Sequence, residues 1–471
     1  PRTGTVEYGA IRMKTKILTF GAENYMNQKH RGSLTVWLSL LTLAVISIYL
    51  YLFTNIQYCL NDDTVLMRSF AGNVGGVMET FNMFTHTLLA YPLHWLSVAF
   101  PLVAWYSVAQ VAMLWIAAFS MLCSVQTILL RMEAKPWLAW LASTLNLLCF
   151  GMVFMTSITF TTTVALLSAA AVWKALEIDF AGSKRRITRD AVASFTLLAF
   201  GYMLRSTAAL PGVCFWVLAL LCRALIRPEH TPPLRAPLKI LLFGLLALGA
   251  LYLIRTVDMA LSGEQAYIRW MNASVAGMDY GGIRNADIRT LQTIGWTEKE
   301  RALVLDWYFM EDNITADSFA AFVPFMSHGT PAGAISALAH LLTKSRNMFY
   351  FTLFLGLSGA GALLCAAIAK PFDKWALLLP LATGGAALVG VGGLAYMGRL
   401  PMRAAATVML PACALMLWLC FTSLHRLHGS GGLQKAVMPL LAICLCLAAT
   451  KCLIVARSSV YNPVGFHGNR G

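Results

Sequence analysis

Charge is scarce in this sequence. Only 12% of its 471 residues are Asp, Glu, Lys or Arg, too few to coat a water-soluble protein of that length. Acids are scarcer than bases, 21 against 36, which leaves a net charge of +15. In a soluble chain that balance would point to nucleic acid. Here the bases stand in short segments between apolar runs, where they mark membrane sidedness, so no nucleic-acid partner is expected. The chain has no CxxC spacing. Ten of its eleven cysteines lie in apolar runs, and only Cys59 falls outside them. That pattern argues against a secreted disulfide framework and against a zinc ribbon. Ten-residue alternating strands separated by turns are also missing, which disfavours a transmembrane β-barrel. No internal repeat or low-complexity tract appears.

Apolar residues are plentiful, at 58% of the chain, and the mean hydropathy is +0.66. Runs of 18 or more such residues recur, each long enough to cross a hydrocarbon core of about 30 Å as a helix. Helices satisfy their own backbone groups in lipid. The expected fold is therefore all-α, a polytopic transmembrane bundle of about eleven spans. Spans are placed near 34–56, 104–130, 136–153, 157–175, 191–204, 206–226, 238–255, 347–369, 375–397, 403–422 and 434–456. The first run lacks a small-residue cleavage site and reads as an anchor rather than a signal peptide. Four regions follow. Residues 1–33 form a basic N-terminal segment, and 34–255 a first membrane module with an external acidic loop at 57–103. Residues 256–345 form a soluble helical segment, and 346–471 a second membrane module. Inside 57–103, the apolar stretch from Thr87 to Phe100 is interrupted by Pro92 and His94 and reads as interfacial or re-entrant.

The bases test this span count. Arg12, Lys14, Lys16, Lys29 and Arg31 precede the first span. With that segment cytoplasmic, the inner loops carry Arg131, Lys135, Lys184, Arg185, Arg186, Arg189, Arg227, Arg235, Lys239, Lys370, Lys374, Arg426 and Lys435. The outer ends carry fewer, among them Arg68, Arg205, Arg255, Arg399 and Arg403. An error of one span would scramble this alternation. It places 57–103 and 256–345 on the outer face of the membrane. The second of these holds ten of the 21 acids and shows a helix start at Thr297, with Glu300 completing a capping box.

The candidate chemistry lies on that outer side. Asn61-Asp62-Asp63 stands at the mouth of the first span. Adjacent carboxylates near a membrane repel each other and lose hydration; they suit a cation site or a general base. Equally, either acid suits the N-cap of a helix running Thr64 to Phe70. Arg205, Arg399 and Arg403 run against the positive-inside trend. They suit anion binding or headgroup snorkelling. Glu79, His86 and His94 are weaker candidates for lining a substrate cavity; as core or solvated residues they would need no special role. Trp105, Tyr106, Trp270 and Trp296 read as aromatic belt or packing. Asn272-Ala273-Ser274 and Asn313-Ile314-Thr315 match the N-glycosylation acceptor pattern, which chance also produces.

Short motifs along nearly the whole chain resemble the GT-C class of membrane glycosyltransferases, and more narrowly a bacterial family of GT-C-like proteins. They are Leu60-Asn61-Asp62-Asp63, Ser69, Gly72, Gly75-Gly76, Tyr91-Pro92-Leu93, Trp105-Tyr106, Leu204-Arg205-Ser206, Gly295-Trp296-Thr297-Glu298 and Gly398-Arg399-Leu400-Pro401-Met402-Arg403. The resemblance implies a plasma-membrane enzyme that moves a sugar from a polyprenyl-phosphate donor to a glycan or lipid acceptor on the outer face. Asp62 and Asp63 would then be the catalytic acids, holding Mg or Mn if a divalent cation takes part. Arg205, Arg399 and Arg403 would hold the donor phosphate. Two other readings fit the bare sequence: a non-catalytic envelope assembly protein, and a transporter or lipid flippase, though the span interiors hold few of the charges a transporter needs.

Overall fold

A computed structural model describes residues 32–427 and residue 450, apart from 55–56, 59–60, 73–81, 227–234, 280, 307, 310–311, 326–328, 370–372 and 399. Nearly every element is a helix. In order they are α1 (Gly32–Phe53), β1 (Gln57–Tyr58), α2 (Asn61–Phe70), α3 (Thr87–Ala99), α4 (Trp105–Arg131), α5 (Pro136–Phe150), α6 (Met152–Thr156) and β2 (Ser157–Ile158). Then come α7 (Phe160–Glu177), α8 (Lys184–Leu204), α9 (Ser206–Leu225) and α10 (Arg235–Leu261). Five short helices follow: α11 (Gln265–Asp279), α12 (Gly282–Asn285), α13 (Ile288–Thr293), α14 (Glu298–Leu305) and α15 (Ala316–Ala320). The last four are α16 (Pro331–Lys344), α17 (Arg346–Ile368), α18 (Lys374–Tyr396) and α19 (Met402–Arg426).

Among the described residues, seven helices are long and apolar enough to cross a membrane: α1, α4, α9, α10, α17, α18 and α19. Three further expected spans are helices that fall outside this set. The first, α5, has 15 residues. The second, α7, carries Thr161-Thr162-Thr163 in its first turn, and the third, α8, opens on Lys184-Arg185-Arg186. The expected run at 434–456 lies outside the described residues, apart from residue 450.

Burial explains why α7 need not be lipophilic. Nearly every residue of α7 is buried, enclosed by α4, α8, α9 and α19. Its small residues let neighbouring backbones approach. A Cβ added at Gly212 of α9 would lie 2.1 Å from Ser168 Oγ. The other inner helix, α19, is buried over 94% of its apolar window. At the periphery, α10 is only 11% buried over its window and presents Leu242, Phe243, Leu246 and Tyr252 outward, as a lipid-facing helix does. A satellite cluster joins Leu43, Ile46 and Leu50 of α1 to Ala118, Leu122 and Leu147.

Polar contacts mark the two ends of this bundle. At one end Arg131 donates to the Glu177 carbonyl, Arg223 to the Ile178 carbonyl at 2.7 Å, and Arg426 pairs with Asp373 at 2.6 Å. Arg223 also faces the ring of Trp418. The C-terminal halves of α7, α9 and α19 therefore meet there, and their N-termini meet at the opposite end, where Asp63 lies.

The segment 256–345 divides into two parts. After α10 ends at Leu261, helices α11 to α15 enclose a separate small core of Ile283, Leu291, Trp296, Val304, Phe319 and Phe322. The capping box expected at Thr297 and Glu300 is present. The amphipathic α16 packs instead on α17 and α18. Its approach needs glycine: a Cβ at Gly329 would lie 1.9 Å from the Tyr396 carbonyl oxygen.

Candidate active site

The acidic pair is placed by a two-residue ladder that the sequence did not announce. After α1, Gln57 and Tyr58 pair in parallel with Ser157 and Ile158, which brings the chain leaving the first span beside the start of α7. Tyr58 adds a 2.7 Å hydrogen bond from its hydroxyl to Ser107 Oγ. α2 then opens at Asn61, so Asp62 and Asp63 lie inside its first turn and neither is its N-cap.

Asp63 turns inward and is fully buried. Its Oδ1 accepts from Gln110 Nε2 at 2.8 Å, from the Phe160 backbone N–H at 2.9 Å and from the Tyr106 hydroxyl at 3.3 Å. Phe160 is the first residue of α7, so Asp63 takes one of that helix's orphan amides and sits at the positive end of its dipole. The capping role weighed from the sequence thus exists, for α7 rather than α2. Oδ2 is buried and has no hydrogen-bond partner among the described residues. Burial pushes the carboxyl pKa up to about 6, against the opposing pull of Gln110, the Phe160 amide and Tyr106; the neighbouring Asp62 adds to the rise. Asp62, one residue earlier and about 100° around the helix, is only partly buried.

Arg205 shares this end of the bundle, at the break between α8 and α9. Its guanidinium stacks over Phe160 at 4.2 Å and Phe84 at 5.3 Å and reaches Thr161 Oγ1 at 3.4 Å. One residue, Phe160, therefore connects the arginine to Asp63, by its ring on one side and its amide on the other. The loop before α3 and the start of that helix are latched to α10 and to the end of α8. Arg255 donates to the Asn82 carbonyl, Thr87 donates to Asp258, and the His86 amide donates to the Met203 carbonyl at 2.7 Å.

The remaining candidates separate. His86 is the N-cap of α3: Nδ1 accepts from the Leu88 amide at 3.1 Å and Nε2 meets the Leu251 carbonyl at 2.8 Å. Both ring nitrogens are thus committed to backbone, in an arrangement that requires the neutral ring, and burial pushes its pKa down. The sequence treated Thr87 to Phe100 as interrupted at Pro92, but α3 runs through it as one 13-residue helix, about 20 Å long and too short to span. His94 lies half-buried on this helix, with Nδ1 unpaired among the described residues. Arg403 lines a different cleft, between α16 and the start of α19, and Arg205 is not among that cleft's lining residues. Glu79 and Arg399 lie outside the described residues.

Sequence reasoning missed Gln110 and the Phe160 amide, and it assigned Tyr106 to packing. A signal for two of these was available. Gln110 is a polar residue in an apolar run, four positions after Tyr106. That spacing puts both on one helix face, and polar groups inside spans mark sites. A backbone amide leaves no such mark.

No family model, characterised protein or solved structure matches this chain.

Proposed function

We propose that the chain is a membrane glycosyltransferase of GT-C type. It moves a sugar from a polyprenyl-phosphate donor to an envelope glycan or lipid acceptor on the outer face of a plasma membrane, with the Asp63 end of the bundle facing outward. One observation carries the reading. Of two adjacent acids, Asp63 is fixed by α4 and α7, while Asp62 is left partly open on the same turn, at the end of the bundle where Arg205 is held. Transfer needs a base for an acceptor hydroxyl and a cation beside the departing phosphate. Asp62 is the base in this scheme. It takes the hydroxyl proton as the acceptor oxygen attacks the anomeric carbon, and the bond from that carbon to the phosphate oxygen breaks. Asp63 is a positioning residue that sets the orientation of α2's first turn. Arg205, kept rigid by its two aromatic rings, balances charge on the phosphate. If a divalent cation takes part, Asp62 and the unpartnered Oδ2 of Asp63 are the carboxylate groups that would hold it, and it would supply positive charge for the departing phosphate. The exposed apolar side chains of α3, among them Leu88, Trp95 and Val98, suit a helix lying in the interface, where a donor's tail stays in lipid.

Replacing Asp62 with Asn keeps size and removes the base. Glycan transfer in the host envelope should fall by about 10² to 10⁴ at unchanged folded yield. Full transfer by Asp62→Asn would end the catalytic assignment. The hydrogen bond from the Phe160 amide to Asp63 favours a second reading, a non-catalytic assembly protein in which the acids are purely architectural. On that reading Asp62→Asn and Asp63→Asn are both silent in transfer.

A further inference from the structure

At the same end of the bundle as Asp63, a cleft of about 670 Å³ opens between the outer helix α16 and the turn that leads into α19. Ser336 and His340 of α16 line one wall; Gly398, Leu400, Pro401 and Arg403 line the other. None of its described lining residues is acidic. Among the described residues, neither the Arg403 guanidinium nor the His340 ring has a hydrogen-bond or ion-pair partner, and both residues line this one space. The start of α19 adds to the positive field. This is a 25-residue helix with proline at its N-cap, no side-chain cap and no acid in its first turn, so its first amides remain available to an anion. Gly398, in the left-handed region at φ 68, allows the turn that brings these groups together. Leu341 and Leu400 give the cleft an apolar side.

We propose that this cleft is an anion site for the phosphate of an amphiphilic phosphate ester, separate from the Arg205 platform, with Arg403 and His340 as its ligands. A guanidinium presents a fork that matches two phosphate oxygens. An imidazole and open helix amides complete a shell around the rest, and the leucines border the start of the alkyl chain. The inference goes beyond glycosyl transfer, because a chain with no transferase activity would hold the anion equally well. The phosphate could arrive on a lipid or as a soluble ion, and the two are separable.

The test uses the full chain in a neutral detergent, with dodecyl phosphate and inorganic phosphate as probes and dodecanol as the uncharged control. Dodecyl phosphate should bind and dodecanol should not. Arg403→Gln should weaken binding at least about tenfold, the loss of one charge-assisted contact, and His340→Gln less. Ser336 is exposed, so Ser336→Glu should fold normally and abolish binding by placing a carboxylate in the cleft. Asp62→Asn should leave binding unchanged, which keeps this result distinct from the fate of the transferase reading. Inorganic phosphate competing with the same dependence on Arg403 would support the site with a soluble ligand; dodecyl phosphate alone would support it with a lipid. Binding that survives Ser336→Glu, or equal binding of dodecanol, would overturn the proposal.

Discussion

Asp63→Asn separates a buried charge from a buried hydrogen-bond acceptor. At neutral pH the wild-type carboxylate is ionised inside the protein, with its pKa raised from near 4 to about 6. Two pKa units correspond to about 3 kcal/mol of folding free energy withheld once the group is charged. The sign follows from the direction of the shift. An acid whose folded pKa lies above its unfolded value binds its proton more tightly when folded. That stabilisation is complete below about pH 4 and is lost as pH rises through about 6. An Asn side chain keeps an oxygen where Oδ1 accepts its three bonds and carries no charge. Its amide nitrogen replaces the unpartnered Oδ2 and finds no acceptor, a cost of about 1–3 kcal/mol. The two changes roughly cancel or favour the variant, so Asp63→Asn should match or exceed wild-type stability at pH 7.5. Asp63→Ala strands Gln110, the Phe160 amide and Tyr106 and should lose about 2–4 kcal/mol. Thermal unfolding in detergent between pH 5 and 8 measures this best as wild type minus Asp63→Asn, which should rise as pH falls through 6. His86 works in the opposite direction, because a neutral-ring cap loses stability on acidification, but it is common to both proteins and cancels. If Asp63→Asn is as damaging as Asp63→Ala at pH 7.5, the charge itself is needed, and the desolvation argument fails.

Other consequences are open to measurement. Trp296 is 2% exposed in the small core and donates to the Asn313 carbonyl at 3.0 Å; Trp296→Ala should cost that subdomain about 3–5 kcal/mol, seen as early proteolysis within 262–325 while the bundle stays intact. Gly329→Ala should push α16 off α18, detected as increased hydrogen exchange over 331–344. Gly212→Ala, against Ser168, should destabilise the α7–α9 contact by about 1–3 kcal/mol, read as a lower unfolding midpoint. A cysteine at Ile288, which is 56% exposed, should react with an impermeant thiol reagent from outside intact cells; labelling only after permeabilisation would invert the proposed topology.

What the sequence determined by itself is the class of solvent. Its thin charge and long apolar runs leave a helical membrane bundle as the economical answer, because lipid offers backbone groups no partners. It also marked the ends of helices wherever the signal is local, as at Thr297 with Glu300. It singled out Asp62, Asp63 and Arg205, because charge near apolar runs stands out. Only the tertiary structure decided which acid points inward. That choice depends on the two-residue ladder between 57–58 and 157–158, a pairing 100 residues apart with no periodicity to show it. Only the fold revealed that Asp63 serves the backbone of α7, since an amide is invisible in a list of side chains. Enclosure on all sides made α7 a protein-facing helix rather than a lipid-facing one, a distinction that hydropathy along one chain does not carry. Of the three arginines grouped by their position against the charge trend, the two that are described, Arg205 and Arg403, parted for a related reason. Arg205 is bound to the rings of Phe84 and Phe160, whereas Arg403 opens a cleft with His340, a residue more than sixty positions away that becomes its neighbour only when α16 docks on α18.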